Sequence, residues 1–501
     1  MRAITYSRKP QGFNEKMPNP VISQLQPQAL WASFAKLNEV PRASKKETRV
    51  TQFAVDFGKS LGLETLVDST GNVLIRKPAS KGRENDPGVV LQAHLDMVHQ
   101  KNANTQFDFD SEGIRMLVEG DWVRADGTTL GADNGIGVAA IMAILQSSDI
   151  SHPPLEALFT IDEETGMTGA KALKPDWVQG RVLLNLDTEE DNELTIGCAG
   201  GVDVTGTLEL KRVATPTDHV GLQIEVSGLT GGHSGMDIHL GRGNANKLMN
   251  RLLWQLESKF NIHLHSIDGG SLRNAIPRES TAVLSAKAND VERIKEWIVA
   301  EASVLASEYS VTDPGLKVTC NAVNAPTDVI DKAQQTAILN ATYALHNGIF
   351  RMSPNVEGLV QTSNNLAKVH TSDTELTWAC LTRSSVDTER DELARMLSAT
   401  MQLTGATVEF AGDYPGWQPA PQSNIVELMS KLYESMFDGQ PHVAACHAGL
   451  ECGIIGAHYP GMEMISFGPN IRGAHSPDEQ VQISSVEKFW KFLIRTLSEI
   501  K

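Results

Sequence analysis

Four short apolar runs in this sequence each end abruptly in polar residues suited to metal binding, and this recurrence constrains the fold more than any other feature. Val89-Val90-Leu91-Gln92-Ala93 hands over to His94-Leu95-Asp96. Leu158-Phe159-Thr160-Ile161 hands over to Asp162-Glu163-Glu164, and Val182-Leu183-Leu184-Asn185-Leu186 to Asp187. Met462-Glu463-Met464-Ile465-Ser466-Phe467-Gly468 runs into a loop carrying His475. With helical patterns between them, such runs read as buried strands of a largely parallel α/β sheet. Strand ends in such a sheet converge on one crevice. Two histidines and at least three carboxylates arriving there make a mixed nitrogen and oxygen site for hard or borderline divalent cations. His94 and Asp96 share one face of their strand, which lets the carboxylate orient a metal-binding imidazole.

Between the first two runs lies Gly131-Ala132-Asp133-Asn134-Gly135-Ile136-Gly137, followed by an apolar helical pattern from Val138 to Leu145. Capping that helix is the competing role for Asp133. Asp162-Glu163-Glu164 sets three carboxylates in a row, whose repulsion a cation would relieve. Glu189-Glu190-Asp191, in contrast, reads as a solvated acidic loop, and His99 and His152 as surface residues outside any motif.

The texture changes along the chain. Helical periods at 29–36 and 45–61, two strands around the Gly71 turn and the runs above give an α/β first part. From about residue 202 the alternation is that of antiparallel strands, at Val202 to Leu210 and Val220 to Ser227, mixed with helices. A repeated order of polar segment, strand and helix suggests two related α+β halves here. The α/β texture returns at Thr407-Val-Glu-Phe410. The expected architecture is α/β: a discontinuous catalytic domain with a mostly parallel central sheet, in parts 25–201 and 403–501. An α+β lid domain, 202–402, is inserted in it, with hinges near 201 and 402. Residues 1–24, polar and rich in Pro, Asn and Lys, read as a flexible N-terminal extension or a product of start-site choice.

His94-Leu-Asp96, Gly-Ala-Asp133-Asn-Gly, Glu163-Glu164, Asp187 and Gly-Ala-His475-Ser-Pro-Asp478 together resemble the di-zinc peptidases that include the carboxypeptidase and aminoacylase relatives. The likeness is strongest to the dipeptidases among them and runs from about Leu25 to the C-terminus. It takes in stretches unrelated to metals: Gly231-Gly-His-Ser-Gly235, Leu272-Arg-Asn-Ala-Ile-Pro-Arg278, Tyr414-Pro-Gly-Trp-Gln-Pro419 and His447-Ala-Gly-Leu-Glu-Cys-Gly453. The resemblance implies two Zn2+ per chain, with Co2+ or Mn2+ able to substitute. Asp133 is then the shared ligand, with His94 and Asp187 on one ion and Glu164 and His475 on the other. It implies Glu163 as the general base acting on a metal-bridging water, and Asp96 as the carboxylate that orients His94. In the lid it implies His233 as the oxyanion donor, from the same chain or a dimer partner, with His239 as its local competitor. Asn274, Arg383 and the backbone at Gly449 would hold substrate, unless Arg383 is a surface ion pair. The implied activity is a dipeptidase of broad specificity, Xaa-His dipeptides included. The alternative is a related di-zinc amidohydrolase, or aminoacylase, acting on N-acyl amino acids; a silent metal- or peptide-binding protein would have no need of Glu163. A homodimer through the lid is the implied assembly.

Composition excludes other classes. A chain of 501 residues implies two or three domains. Its net charge of −17 argues against a nucleic-acid surface, and no apolar run approaches the roughly 20 residues a bilayer span requires. The five cysteines, at 198, 320, 380, 446 and 452, are odd in number and widely spaced, as in a reduced cytoplasmic protein.

Overall fold

Strands Val89–His94, Leu155–Thr160 and Val182–Asn185 are buried along their whole length, as strands covered on both faces are. They lie in a computed structural model that describes residues 21–501 of the chain. Across six of the eight strands of this sheet the order is Glu64–Val67, Val73–Lys77, Leu155–Thr160, Val89–His94, Val182–Asn185 and Glu463–Ser466. The last four are mutually parallel, while the first two form an antiparallel edge. Because the four parallel strands point the same way, the segments that follow His94, Thr160, Asn185 and Ser466 all emerge at one end of the sheet. Helix Ala132–Gln146, apolar on every side, packs on strand Val89–His94 and on helix Gln28–Leu37. A separate four-stranded antiparallel sheet joins the hairpin Met116–Glu119 and Trp122–Ala125 to Ile471–Arg472 and Gln480–Gln482, and so anchors both sides of the His475 loop.

These elements belong to the first of two compact units: the described residues up to Leu194, with Asn424–His442 and Gly461–Lys501. The second unit is Thr195–Ser423 with Val443–Pro460. It is built on a nine-stranded antiparallel sheet that includes Gly200–Glu209, His219–Ser227, Ser280–Lys287, Val360–Thr371 and Glu375–Ser384. Burial alternates along Gly200–Glu209 and His219–Ser227, as in strands with one face on a core. Leu222, Ile224, Leu284 and Trp378 from the strands meet Leu252, Ile298, Ile338 and Leu397 from four helices in one apolar core.

The boundaries differ from those read in the sequence. Strand Thr407–Tyr414 does not return to the parallel sheet; it pairs antiparallel with Gly200–Glu209. Trp417 and Cys198 then exchange backbone hydrogen bonds of 2.9 Å in each direction. The second unit therefore runs on to Ser423, a hinge near 402 falls inside it, and Val443–Pro460 rejoins it after a helix of the first unit. At the N-terminus, Ile22–Gln24 forms a helical turn with Ile22 buried, so the fold begins before Leu25. Residues 1–20 of the expected extension lie outside the described residues. No helix among the described residues is long and apolar enough to cross a membrane.

Candidate metal and catalytic site

Where the four parallel strands end, the structure brings His94, Asp133, Glu164, Asp187 and His475 together. Asp133 lies at the centre: its Oδ1 is 3.1 Å from His94 Nε2 and its Oδ2 3.2 Å from His475 Nε2. The Asp187 Oδ1 is 3.4 Å from the same His94 nitrogen, and Glu164 Oε2 is 2.9 Å from His475 Nε2. Ligand atoms of His94, Asp133 and Asp187 lie within 4.8 Å of one another, as do those of Asp133, Glu164 and His475. One carboxylate thus serves two donor sets, the arrangement that a pair of adjacent divalent ions requires. A further oxygen, Glu164 Oε1, is buried without a hydrogen-bond partner. Nitrogen and carboxylate donors of this kind suit zinc and similar divalent ions, so the residues fit the group that the sequence implied.

The electrostatics carry the same imprint. Burial pulls the His94 imidazole down, but Asp187, Asp133 and Asp96 outweigh it and hold it well above its ordinary value. Hydrogen bonds to Asp133 and Glu164 push His475 up to about 11. Burial raises Asp133, yet the two imidazoles hold it below the usual carboxylate range. His475 and Asp162 both adopt left-handed backbone, at φ 62° and 54°, a conformation disfavoured for residues with a side chain and often found at functional sites.

Asp96 links the two sides of this cluster. Its Oδ1 is 3.4 Å from His94 Nδ1 and accepts the Glu163 N–H at 3.1 Å. Its Oδ2 accepts the Ser44 hydroxyl and the Glu164 N–H. Asp162 is spent locally, accepting from the Thr165 and Thr168 hydroxyls, which leaves Glu163 and Glu164 as the carboxylates presented beyond the strand. Asp133 does not cap the helix it begins. The backbone that leads into it is held by Glu479, which accepts the N–H groups of Leu130, Gly131 and Ala132 at 2.7, 2.9 and 2.7 Å. Glu479 stands one residue beyond the His475 motif, and only that adjacency could have marked it. Burial pushes it up to about 7.

Two other expectations in this unit are corrected. Glu189-Glu190-Asp191 is not a freely solvated loop, for Asp191 pairs with Lys488 and Glu190 with Arg472, each at 2.8 Å. Burial and the carboxylates of Asp133 and Asp187 push Glu189 up to about 8. His152 is buried against the Pro153 carbonyl, and His99 is half-buried, stacked on Phe109 at 4.1 Å between ring centroids.

The second unit holds a cluster of its own. His233 lies on a two-residue strand paired with Ala275–Ile276, and the Asn274 carbonyl accepts the Ser234 N–H. The Nδ1 of His233 accepts from Gly235 N at 3.2 Å and Met236 N at 3.0 Å. A nitrogen that accepts cannot carry the proton, so Nε2 is the donor. Burial and Arg383 lower the pKa of His233, which stays neutral near pH 7. Its competitor His239 is exposed.

Arg383, 5% exposed, donates to Tyr414 Oη at 2.8 Å and lies 3.5 Å from Ser234 Oγ. Among the described residues no carboxylate stands within ion-pair distance of it, so it is not a surface ion pair. Tyr414 is therefore a neighbour the sequence reading did not single out, although it opens one of the motifs quoted above. His447 bonds Ser363 Oγ through Nε2 at 2.7 Å, and burial pulls it down to about 3. Gly449 sits in the loop that leads from His447 into helix Glu451–His458. Asn274 is exposed.

Residues 90–499 match Peptidase family M20/M25/M40, and the chain belongs to that family. It is 43% identical over 482 residues to the cytosol non-specific dipeptidase of Escherichia coli strain K12, spanning 96% of this chain and 99% of that protein. The crystal structure of aminoacylhistidine dipeptidase from Vibrio alginolyticus superposes with a TM-score of 0.91 at 43% identity, covering 96% of this chain and 98% of that one. Aminopeptidase PepT from Bacillus cereus, at 15% identity and a TM-score of 0.55, covers 95% of this chain and 99% of its own and shares the fold.

Proposed function

We infer that this chain is a metal-dependent dipeptidase of broad specificity, Xaa-His dipeptides among its substrates, that works in the cytoplasm with two zinc ions. The observation that carries this reading is Asp133, whose two oxygens face two different histidines while Glu163 follows directly on the same cluster. His94 and Asp187 would hold one ion and Glu164 and His475 the other, with Asp133 between them. Bound divalent ions supply Lewis acidity, polarising the scissile carbonyl and making water a nucleophile at neutral pH.

The chain's own groups do the rest. Glu163 takes a proton from the attacking water as its oxygen adds to the carbonyl carbon, and later delivers it to the leaving amine as the C–N bond breaks. Asp96 keeps His94 in one tautomer and also pins the Glu163 backbone. His233 donates its Nε2 proton to the oxygen that becomes charged in the tetrahedral intermediate. Arg383 grips the substrate's C-terminal carboxylate with its planar fork, and Asn274 and the Gly449 backbone line the remainder. A homodimer through the second unit belongs to the same proposal, with sedimentation of the purified chain as its check.

A panel of free dipeptides, Xaa-His included, tested beside N-acetyl amino acids decides the activity. The dipeptides should be cleaved, activity should vanish on chelation, and Zn2+, Co2+ or Mn2+ should restore it with two ions per fully loaded chain. Faster turnover of the N-acetyl amino acids would overturn the dipeptidase reading, and one ion per active chain would overturn the two-metal reading.

A further inference from the structure

Asp133 is the second residue of helix Ala132–Gln146, in a Gly-Ala-Asp-Asn-Gly turn, a context in which an aspartate can cap a helix start with its own carboxylate. In this fold it does not, and both its oxygens face histidines. The N–H groups of the backbone that leads into Asp133 are taken by Glu479, from 346 residues further along the chain. Its Oε2 accepts from Leu130 and Gly131, and its Oε1 from Ala132, with Asp133 N at 3.3 Å. Four donors converge on two oxygens, a count only an ionised carboxylate meets, since an amide would turn an NH2 group against two of them. Glu479 is 2% exposed.

A second buried side chain holds the opposite polarity of the same backbone. Arg42, 1% exposed, donates Nη1 to the carbonyls of Leu95 and Asp96, both at 3.1 Å, and Nη2 to Asn38 Oδ1 and the Gly131 carbonyl. Gly131 is thus held at its N–H by Glu479 and at its carbonyl by Arg42. The neighbouring glycines follow from this: a Cβ at Gly131 or Gly135 would stand 2.4 or 2.7 Å from Arg42 Nη2.

We propose that Glu479 and Arg42 form an oppositely charged clamp on the backbone around Leu130–Asp133 and Leu95–Asp96 that sets Asp133 and Asp96 in place for the metal ions. Both are positioning residues: neither is a ligand and neither touches substrate. The proposal rests on Asp133 as the shared ligand, and the two can fail separately. If wild-type enzyme binds a single ion, that reading fails. If the clamp variants bind metal as wild type does, only the clamp fails.

Glu156 provides the control. It is a buried carboxylate in the same unit that likewise accepts two backbone N–H groups, from Gln179 and Gly180, and an arginine, Arg76. It stands at the start of its strand, whereas the site lies beyond the strand's end. The readouts are Zn2+ affinity by competition with a chelating dye, the visible absorption of the Co2+-loaded protein, and kinetics on a dipeptide. Glu479→Gln should weaken Zn2+ binding by about tenfold or more, on the scale of lost groups that orient metal ligands, alter the Co2+ spectrum and lower kcat with KM little changed. Arg42→Lys should do the same to a smaller extent. Glu156→Gln should lower the melting temperature yet leave Zn2+ affinity and the Co2+ spectrum as in wild type. If Glu479→Gln does not fold, Glu479→Asp carries the test, since it keeps the charge and should fold with Zn2+ binding weakened several-fold. Wild-type affinity and spectrum in a folded Glu479 variant, or equal metal loss in Glu156→Gln, would overturn the clamp.

Discussion

The candidate site residues buried in the two units carry opposite charge. In the first, Asp133, Asp187 and Glu164 crowd around two histidines at the ends of parallel strands, and the imidazoles are driven up in response. In the second, Arg383 is buried against a tyrosine and a serine with no carboxylate within ion-pair distance among the described residues, and burial drives the imidazoles of His233 and His447 down. Neither arrangement is complete electrostatically, since a buried charge is costly unless something pairs with it. Carboxylates in excess call for cations, and a buried guanidinium without a carboxylate calls for an anion. In the proposed function a dipeptide would supply the second with its C-terminal carboxylate, and divalent metals the first. Under the proposed function, binding of metal and recognition of substrate fall to different folds in one chain, a parallel sheet and an antiparallel one.

That division breaks most visibly within the first unit. Glu163→Ala should keep both metals yet lose hydrolysis by about a hundredfold or more, the scale of a general base. Glu164→Ala should weaken metal binding first, with activity partly recovered by excess Zn2+. Metal analysis and rescue on both variants is the check. The same metal loss in each, with no difference in rescue, would mean that the two adjacent carboxylates do not divide the roles.

Variants in the second unit should leave metal content alone. His233→Ala removes a donor aimed at charge that develops only during reaction, so kcat should fall by about a hundredfold or more on the scale of a lost oxyanion donor. Arg383→Ala removes a grip made in ground and transition states alike, so chiefly KM should rise. Wild type should discriminate strongly between a dipeptide and its C-terminally amidated form, and Arg383→Ala much less. Equal discrimination by both enzymes would show that Arg383 does not read the carboxylate.

How much of this was legible in the sequence follows from how each residue acts. The metal-compatible residues stand where apolar runs stop, so His94, Glu164 and Asp187 announce themselves by position. Glu479 and Arg42 act on backbone groups, and a side chain that holds backbone N–H groups from 346 residues away leaves no local spacing to read. Strand Thr407–Tyr414 was assigned to the wrong sheet for a related reason. Its mostly exposed pattern suits an edge strand, but only the pairing with Gly200–Glu209 says which edge. Tyr414 closes that strand, so its place beside Arg383 depended on the same pairing.

The smallest effect expected is at Tyr414, and it sharpens the comparison most because it alters no charge. Its hydroxyl oxygen accepts from Arg383 Nη1 at 2.8 Å, and the residue fits against Gly201, where a Cβ would meet the ring at 2.8 Å. Tyr414→Phe keeps the ring and its packing but leaves one guanidinium N–H without its partner. A hydrogen bond to a charged group contributes about 1.5–3 kcal/mol in a buried setting, but substrate or water can take over part of that donor's need. The guanidinium should remain in place with a looser fork, so KM for a free dipeptide should rise by several-fold, less than in Arg383→Ala. The amidated dipeptide, which has no carboxylate to align, should be turned over as by wild type, and metal content should not change. A KM rise of equal size for the free and amidated substrates would mean that Tyr414 shapes the unit as a whole and does not aim Arg383.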